Sequence, residues 1–129
     1  MSSAGTPRSF DAPRPRRIPA FVEGVDDAGL VLTRTITSPT LIVVVKDNCG
    51  GCSEFVANQA IVPVTVLLVT ESADASQKYG ALLAPAFIAA IDARFAPVYV
   101  LVAGEPLGVA TEGTVFSAEQ VLTEISPFL

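Results

Sequence analysis

The sequence predicts a single α/β domain in which helices cover both faces of a mixed sheet. Two apolar runs, 41–45 and 64–70, are rich in β-branched residues and show no polar alternation, which is typical of strands buried on both faces. Segments with helical spacing alternate with such runs, as expected for a sheet between two helix layers. At 129 residues the chain suits one domain with one core.

The first half of the chain contains three predicted strands and one helix. "GLVLTRTI" (29–36) and "LIVVV" (41–45) are predicted strands separated by the turn "SPT". "CGGCSEFVANQ" (49–59) can open a helix after its glycines, and "VTVLLVT" (64–70) is the next strand. The polar stretch "ESADASQKYG" (71–80) is predicted to be a loop.

A second helix is predicted over residues 84–95. Its apolar residues recur at helical spacing, and Pro85 suits the first turn, where a missing N–H costs nothing. These apolar positions are Ala84, Ile88, Ile91 and Phe95. Four phenylalanines are expected in the core: Phe55, Phe87, Phe95 and Phe116.

A hairpin and a last helix complete the predicted fold. "PVYVLV" (97–102) and "LGVAT" (107–111) are strands joined by a short turn, so they are antiparallel and make the sheet mixed. Ser117 and Gln120 form a capping-box pattern ahead of the apolar positions of a C-terminal helix. Three glycines are interpreted as turn residues: Gly104, Gly108 and Gly113.

Charge divides the chain into a basic leader, residues 1–17, and an acidic domain, residues 18–129. The leader is rich in Pro, Ser and Arg and carries four arginines against one aspartate, and it is expected to be disordered or loosely packed. The rest carries four basic residues against twelve acidic ones, and this leaves no basic face for nucleic acid. No apolar run approaches the roughly 20 residues of a membrane span, so no membrane association is expected.

The leader also bears on the compartment. It lacks the apolar segment of a signal peptide, and the Arg16-Arg17 pair is followed by a segment broken by Pro19 and Glu23, unlike an export signal. We therefore expect a cytoplasmic protein. In a reducing compartment a close cysteine pair is more often catalytic or metal-binding than structural.

The only two cysteines, Cys49 and Cys52, stand at the end of a buried strand where a helix opens, an arrangement that resembles the thioredoxin fold. "FAPVYVLVAGEPLGVATEG" adds a second resemblance, because that superfamily places a cis-proline before the strand of its terminal hairpin. The resemblance spans about residues 30 to 127 and implies a three-layer α/β/α fold with a central mixed sheet of four to five strands. Pro97 is the expected cis-proline and Pro85 its rival, since helical periodicity follows Pro85.

Several positions depart from the thioredoxin pattern. Asn48 replaces the aromatic residue before the first cysteine, and Val43 replaces the buried acid of the preceding strand. Val98 follows the proline where threonine is usual, and the interior of the motif is Gly-Gly. These differences indicate a divergent thiol-disulfide oxidoreductase-like protein rather than an ordinary thioredoxin.

The spacing of the cysteines suits disulfide exchange, which needs an attacking thiolate and a resolving thiol. Cys49 at the helix N-cap is the expected nucleophile, because free N–H groups and the helix dipole stabilise its anion. Cys52, in the first turn and more buried, is the expected resolving thiol. Lys46 favours the thiolate, while nearby carboxylates oppose it; with no histidine in the chain, water, a carboxylate such as Glu54, or the substrate thiol would take the proton.

Four further residues are predicted to bind substrate. Gly50 and Gly51 have no Cβ, so a substrate backbone can approach them closely. The resemblance places the Ala96–Pro97 turn opposite Cys49, where the Ala96 backbone could pair with an extended substrate. The expected partner is a protein bearing a thiol or disulfide, or a small thiol.

Two alternatives to redox catalysis remain open. The domain could be a binding or scaffold module in which the cysteine pair is inert. Less favoured is a zinc or iron–sulfur site shared by two chains, since one chain offers two thiolates and no histidine. The redox interpretation requires no cofactor.

Overall fold

A computed structural model of the chain describes residues 17–93 and 96–129. The strands of the described residues are β1 (Phe21–Val25), β2 (Val31–Thr35), β3 (Thr40–Val45), β4 (Thr65–Thr70), β5 (Leu82–Leu83), β6 (Val98–Ala103) and β7 (Gly108–Thr114). The helices are α1 (Gly50–Asn58), α2 (Ala73–Tyr79), α3 (Pro85–Ala90) and α4 (Ala118–Ile125), with short 3₁₀ turns at Gln59–Ile61 and Ser126–Phe128.

The strands of the described residues form one mixed sheet in the order β2-β1-β5-β4-β3-β6-β7. β3 pairs in parallel with β4 and antiparallel with β6, and β6 and β7 form the predicted antiparallel hairpin. The α/β class and the mixed sheet are therefore confirmed. The expected number of four to five strands is too low, because β1 and β5 bring the sheet to seven strands.

The two unpredicted strands are short and depend on their neighbours. β1 pairs along its whole length with β2, across a turn in which the Asp26 carboxylate accepts hydrogen bonds from the Ala28 and Leu30 N–H groups. β5 is only two residues long and joins β4 to β1. Neither carries a periodic pattern long enough to be recognised locally.

The predicted loop at 71–80 is wrong, because residues 73–79 form helix α2. The sequence does contain the usual signals for the start and the end of a helix. Ser72 is the N-cap and Asp74 lies in the first turn, whereas Lys78 lies in the last turn and Gly80 ends the helix with φ 70°. The polar composition hid these signals. Only the small residues Ala75 and Ser76 are buried, so no strong apolar face marks the helix.

Helices cover the two faces of the sheet, and each face has its own core cluster. α3 packs Phe87 and Ile88 on one face, together with Val22 of β1. On the other face, Phe55 of α1 and Ile125 of α4 pack over the sheet. β3 lies between the two layers and is buried at all six positions, as its sequence predicts.

The phenylalanines follow the prediction only in part. Phe55 and Phe87 are buried, as expected, and Phe95 lies outside the described residues. The expectation for Phe116 is wrong, because its side chain is 68% exposed. The Phe116 backbone fills the space beside Gly51, and its N–H donates to the Gln120 side chain, which leaves the ring at the surface.

The glycines of the last hairpin also differ in role. Gly104 has φ 94° in the turn, as predicted, and Gly108 opens β7. Gly113 lies within β7 and not in a turn, so the turn prediction is wrong there. The reason for a glycine at this position is a close contact: an ideal Cβ would stand 2.9 Å from the ring of Tyr99. A side chain at this position would displace a buried tyrosine.

The brevity of β5 leaves a gap in the sheet. β5 pairs only with Val69 and Thr70 of β4, so residues 65–68 have no strand partner on that side among the described residues. A cavity of about 150 Å³ lies at this gap, lined in part by Val66, Leu67 and Leu68.

None of the helices in the described ranges is long and apolar enough to span a lipid bilayer. Residues 1–16 lie outside those ranges, so the leader boundary at residue 17 stays a prediction. From Arg17 onward the chain contacts the domain: Arg17 forms a bridge with Gly108, and Ile18 is buried.

Candidate functional site

Cys49 and Cys52 form a disulfide at the start of α1. Their Cα atoms are 5.2 Å apart, a separation typical of disulfides. Cys49 is the N-cap with extended backbone, and its Sγ accepts a hydrogen bond from the Cys52 N–H at 3.1 Å. Cys49 keeps 8% of its residue surface exposed and Cys52 none, so Cys49 is the more exposed residue of the pair.

The turn into the disulfide is fixed by hydrogen bonds from the neighbouring strand and helix. The buried Thr70 hydroxyl donates to the Val45 carbonyl at 2.8 Å and accepts from the Ser72 N–H. The Ser72 hydroxyl then donates to the Asp47 carboxylate at 2.8 Å. Asn48 follows with φ 51°, a left-handed conformation that asparagine tolerates better than most residues. The end of β3 is thereby tied to the start of α2.

The two glycines between the cysteines have different surroundings. An ideal Cβ on Gly50 would meet no atom within 4 Å, so space for an approaching backbone is open there. A Cβ on Gly51 would stand 2.5 Å from the Val115 carbonyl oxygen and 3.2 Å from the Phe116 Cα. The space beside Gly51 is therefore taken by the chain itself.

The Ala96–Pro97 peptide bond is cis, as predicted, and Pro85 is not among the cis residues. Ser38–Pro39 and Glu105–Pro106 are also cis. The Pro97 carbonyl accepts a hydrogen bond from the Val115 N–H at 3.2 Å. Because the Val115 carbonyl abuts Gly51, one residue joins the proline turn to the cysteine motif.

Two side chains near the motif have roles that the sequence left open. Glu54, a candidate proton acceptor, accepts a hydrogen bond from the Ala118 N–H at 2.8 Å at the start of α4, and its other oxygen accepts from Asn58. Its carboxylate thus holds α1 against α4. Val43 is fully buried in the same cluster as Cys52, so the site of the missing acid is apolar.

Below the motif, a buried tyrosine is paired with a surface carboxylate. The Tyr99 hydroxyl donates to Glu124 of α4 at 2.6 Å, and Tyr99 lies beside Val43 in the sheet. Burial and the neighbouring carboxylate raise the pKa of Tyr99 well above its usual value. The same hydrogen bond, with help from Gln120, lowers the pKa of Glu124. The pair connects β6 to the last helix.

Among the described residues, no group of three or more Cys, Asp and Glu side chains is close enough to hold a metal ion. A cluster shared between two chains would draw on a second copy, and that alternative stays untested.

No protein-family model matches this sequence, and no curated protein matches it. A solved structure does: the crystal structure of a thio-disulfide isomerase from Thermus thermophilus superimposes with a TM-score of 0.56 at 18% sequence identity. The match covers 91% of this chain and 96% of that chain. The chain therefore has a thioredoxin-like fold, as the cysteine motif and the proline-led hairpin predicted.

Proposed function

We propose that this protein is a thiol-disulfide oxidoreductase whose redox centre is the Cys49–Cys52 pair. The observation that carries the proposal is the position of the disulfide: it closes across the N-terminus of α1, with Cys49 as the N-cap and the more exposed residue of the pair. Free N–H groups at a helix N-terminus favour a thiolate at that position. The structural likeness to a thio-disulfide isomerase supports the proposal, because it shows that the two proteins share a fold.

In the proposed cycle, the Cys49 thiolate attacks one sulfur of a substrate disulfide. The substrate S–S bond breaks, one substrate thiolate leaves and is protonated by solvent, and a mixed disulfide remains on Cys49. The Cys52 thiolate then attacks the Cys49 Sγ and releases the second substrate thiolate. Two electrons pass from the protein dithiol to the substrate, and the Cys49–Cys52 disulfide is formed.

We place substrate against Gly50 and the Ala96–Pro97 turn. The open space beside Gly50 supports this placement, and Val115 holds that turn to the motif through its hydrogen bond to Pro97. The Phe116 backbone lies beside Gly51, and its exposed side chain adds an apolar residue to this part of the surface. Gly51 contributes by allowing this packing, because the Val115 carbonyl occupies the space where a side chain at position 51 would begin.

Trapping with single-cysteine variants tests the proposal. Cys52→Ser should accumulate a mixed disulfide when mixed with an oxidised peptide or small disulfide, because the resolving step is lost, and Cys49→Ser should trap far less. Mass spectrometry identifies the adduct and its site. If Cys49→Ser retains the cellular role of the protein and neither variant traps a disulfide, the chain acts as a binding module and the redox proposal is wrong.

A further inference from the structure

A small polar cleft of about 190 Å³ lies between the turn that precedes α1 and the helix α2. The cleft is lined by Asp47, Asn48, Asp74 and Lys78. Asn48 directly precedes Cys49, so the cleft begins one residue from the proposed nucleophile.

The two walls of the cleft are fixed relative to each other. Both carboxylate oxygens of Asp47 accept from the Ser72 hydroxyl at 2.8 Å, and that hydroxyl also caps α2 by accepting from the Ala75 N–H. A carboxylate has about four acceptor positions, so Asp47 can still accept from a ligand. The opening between the turn and α2 is thus held by the fold before any ligand arrives.

Charges of both signs line this cleft. Asp74 and Lys78 are exposed and stand one helical turn apart on α2, on the same side of the helix. Neither side chain forms a hydrogen bond or ion pair with another described residue; the Lys78 ammonium stands 5.2 Å from the centre of the Tyr79 ring. Two carboxylates and one ammonium are therefore available beside a single cavity.

We propose that this cleft binds the α-amino-acid headgroup of a small thiol or disulfide substrate. The substrate ammonium faces Asp47 and Asp74, and the substrate carboxylate faces Lys78. A purely anionic or purely cationic ligand would leave one sign of charge unmatched, and a cysteine inside a protein chain offers neither charged group. The inference rests on the proposed function, because it names the substrate class of the same redox centre.

The reaction with cystine balances without a further reactant. The Cys49 thiolate attacks one cystine sulfur, one cysteine leaves, and Cys52 releases the second cysteine as the protein disulfide forms. The headgroup would occupy the cleft while its sulfur reaches Cys49. Glutathione disulfide carries the same headgroup farther from its sulfur. A comparison of the two disulfides therefore shows which of these small molecules places its headgroup in the cleft while its sulfur reaches Cys49.

The experiment uses the full-length protein, reduced and freed of reductant, and measures its rate of oxidation by five disulfides. These are cystine, glutathione disulfide, the ammonium-only cystamine, the carboxylate-only 3,3′-dithiodipropionate and the neutral bis(2-hydroxyethyl) disulfide. Each rate is divided by the rate at which the same disulfide oxidises dithiothreitol. This division corrects for the intrinsic reactivity of each disulfide. We expect the highest normalised rate with cystine or glutathione disulfide, and whichever is faster identifies the headgroup position.

Variants connect that preference to the cleft. Asp74→Asn and Lys78→Gln should each lower the ratio of the preferred rate to the bis(2-hydroxyethyl) disulfide rate by about fivefold, as expected for a partly exposed ion pair. Glu23→Gln and Arg34→Gln make the same charge changes on β1 and β2 at residues that do not line the cleft, and they should keep the wild-type ratio.

Equal normalised rates for all five compounds, or a ratio that the cleft variants leave unchanged, would overturn the inference and leave the redox function intact. Loss of the ratio in the control variants as well would also overturn it, because the effect would then come from net charge. A reduced protein that none of the five compounds oxidises would overturn the proposed function itself, and this inference with it.

Discussion

The carbonyl oxygen of Val115 occupies the place beside Gly51 where a side chain would begin, 2.5 Å from an ideal Cβ. Gly50, one residue earlier, faces open space within 4 Å. The N–H of Val115 is bonded to the Pro97 carbonyl, so the same peptide segment touches the cysteine motif and the proline turn. This contact makes the two glycines of the motif physically different although the sequence shows them as a repeat.

Gly50→Ala and Gly51→Ala should change stability in opposite directions. Gly51→Ala forces a methyl group against backbone and should cost about 1–3 kcal/mol. Gly50→Ala lies in the first turn of a helix with open space around it and should gain about 0.5 kcal/mol from reduced freedom of the unfolded chain. Denaturant unfolding of the two oxidised proteins measures both changes. Equal destabilisation would show that the motif needs two glycines for another reason.

The two cysteines of the reduced protein should react at different rates with an alkylating reagent. Cys49 keeps some exposed surface at the helix N-terminus, whereas Cys52 has none. With limiting iodoacetamide near neutral pH, peptide mapping should find the label first on Cys49. Equal and slow labelling at both positions would contradict the assignment and favour a binding module with an unreactive cysteine pair.

Ser72 should contribute to stability beyond its role as a helix cap. Its hydroxyl caps α2 and also binds Asp47, so Ser72→Ala should cost about 1–2 kcal/mol. Ser117→Ala is the matched control, because the Ser117 hydroxyl caps α4 by accepting from the Gln120 N–H, in the same way as Ser72 caps α2. The free energy of unfolding is measured for both variants. A loss at position 72 no larger than that at 117 would show that the contact with Asp47 contributes little.

The Tyr99–Glu124 hydrogen bond should make stability depend on pH in the acid range. Because the folded-state pKa of Glu124 is lowered, the unfolded state binds more protons in this range. The contribution is therefore present above the usual value of 4.5 and is lost as pH falls through the lowered folded-state pKa. Glu124→Gln should flatten this part of a plot of thermal midpoint against pH.

Tyr99→Phe provides the second test of that pair. The variant keeps the buried ring and removes only the hydroxyl, at a cost of about 1 kcal/mol at neutral pH. It should also flatten the acid dependence that belongs to Glu124. If the acid dependence of Tyr99→Phe equals that of the wild type, the carboxylate is stabilised by Gln120 and not by the tyrosine.

Removal of the basic leader should leave the domain folded. Residues 1–17 contain one aromatic residue and no periodic apolar face, so their deletion should shift the thermal midpoint by only a few degrees, equivalent to under about 1 kcal/mol. Scanning calorimetry of the shortened chain checks this. A fall of about ten degrees would show that the leader packs as a structural element.

Features set by local sequence were predictable. The buried β3 follows from an unbroken β-branched run, and the N-cap position of Cys49 follows from glycines that open a helix directly after that strand. The cis-proline at 97 could be selected because strand residues follow it, while helical periodicity follows Pro85. In each case a strong pattern lies within a few residues of the feature.

Features set by distant contacts were not predictable. The position of Val115 against Gly51 depends on how the last hairpin meets α1, about 60 residues away in sequence. The same contact leaves the Phe116 ring at the surface, against the usual expectation for phenylalanine. α2 was not predictable for a different reason. Its capping residues are present in the sequence, but little of its surface is apolar, and the prediction of helices relied on a periodic hydrophobic face.

The two-residue length of β5 has a consequence for the exchange of backbone amide hydrogens with solvent. β3 is paired on both sides over nearly its whole length, so its amides should exchange only in rare, global openings. In residues 65–68 of β4, the amides directed at β3 share that protection, whereas those directed at the gap meet a cavity open to water. Residues 65–68 of β4 should therefore show slow and fast amide exchange at alternate residues, whereas the neighbouring strand β3 should show only slow exchange.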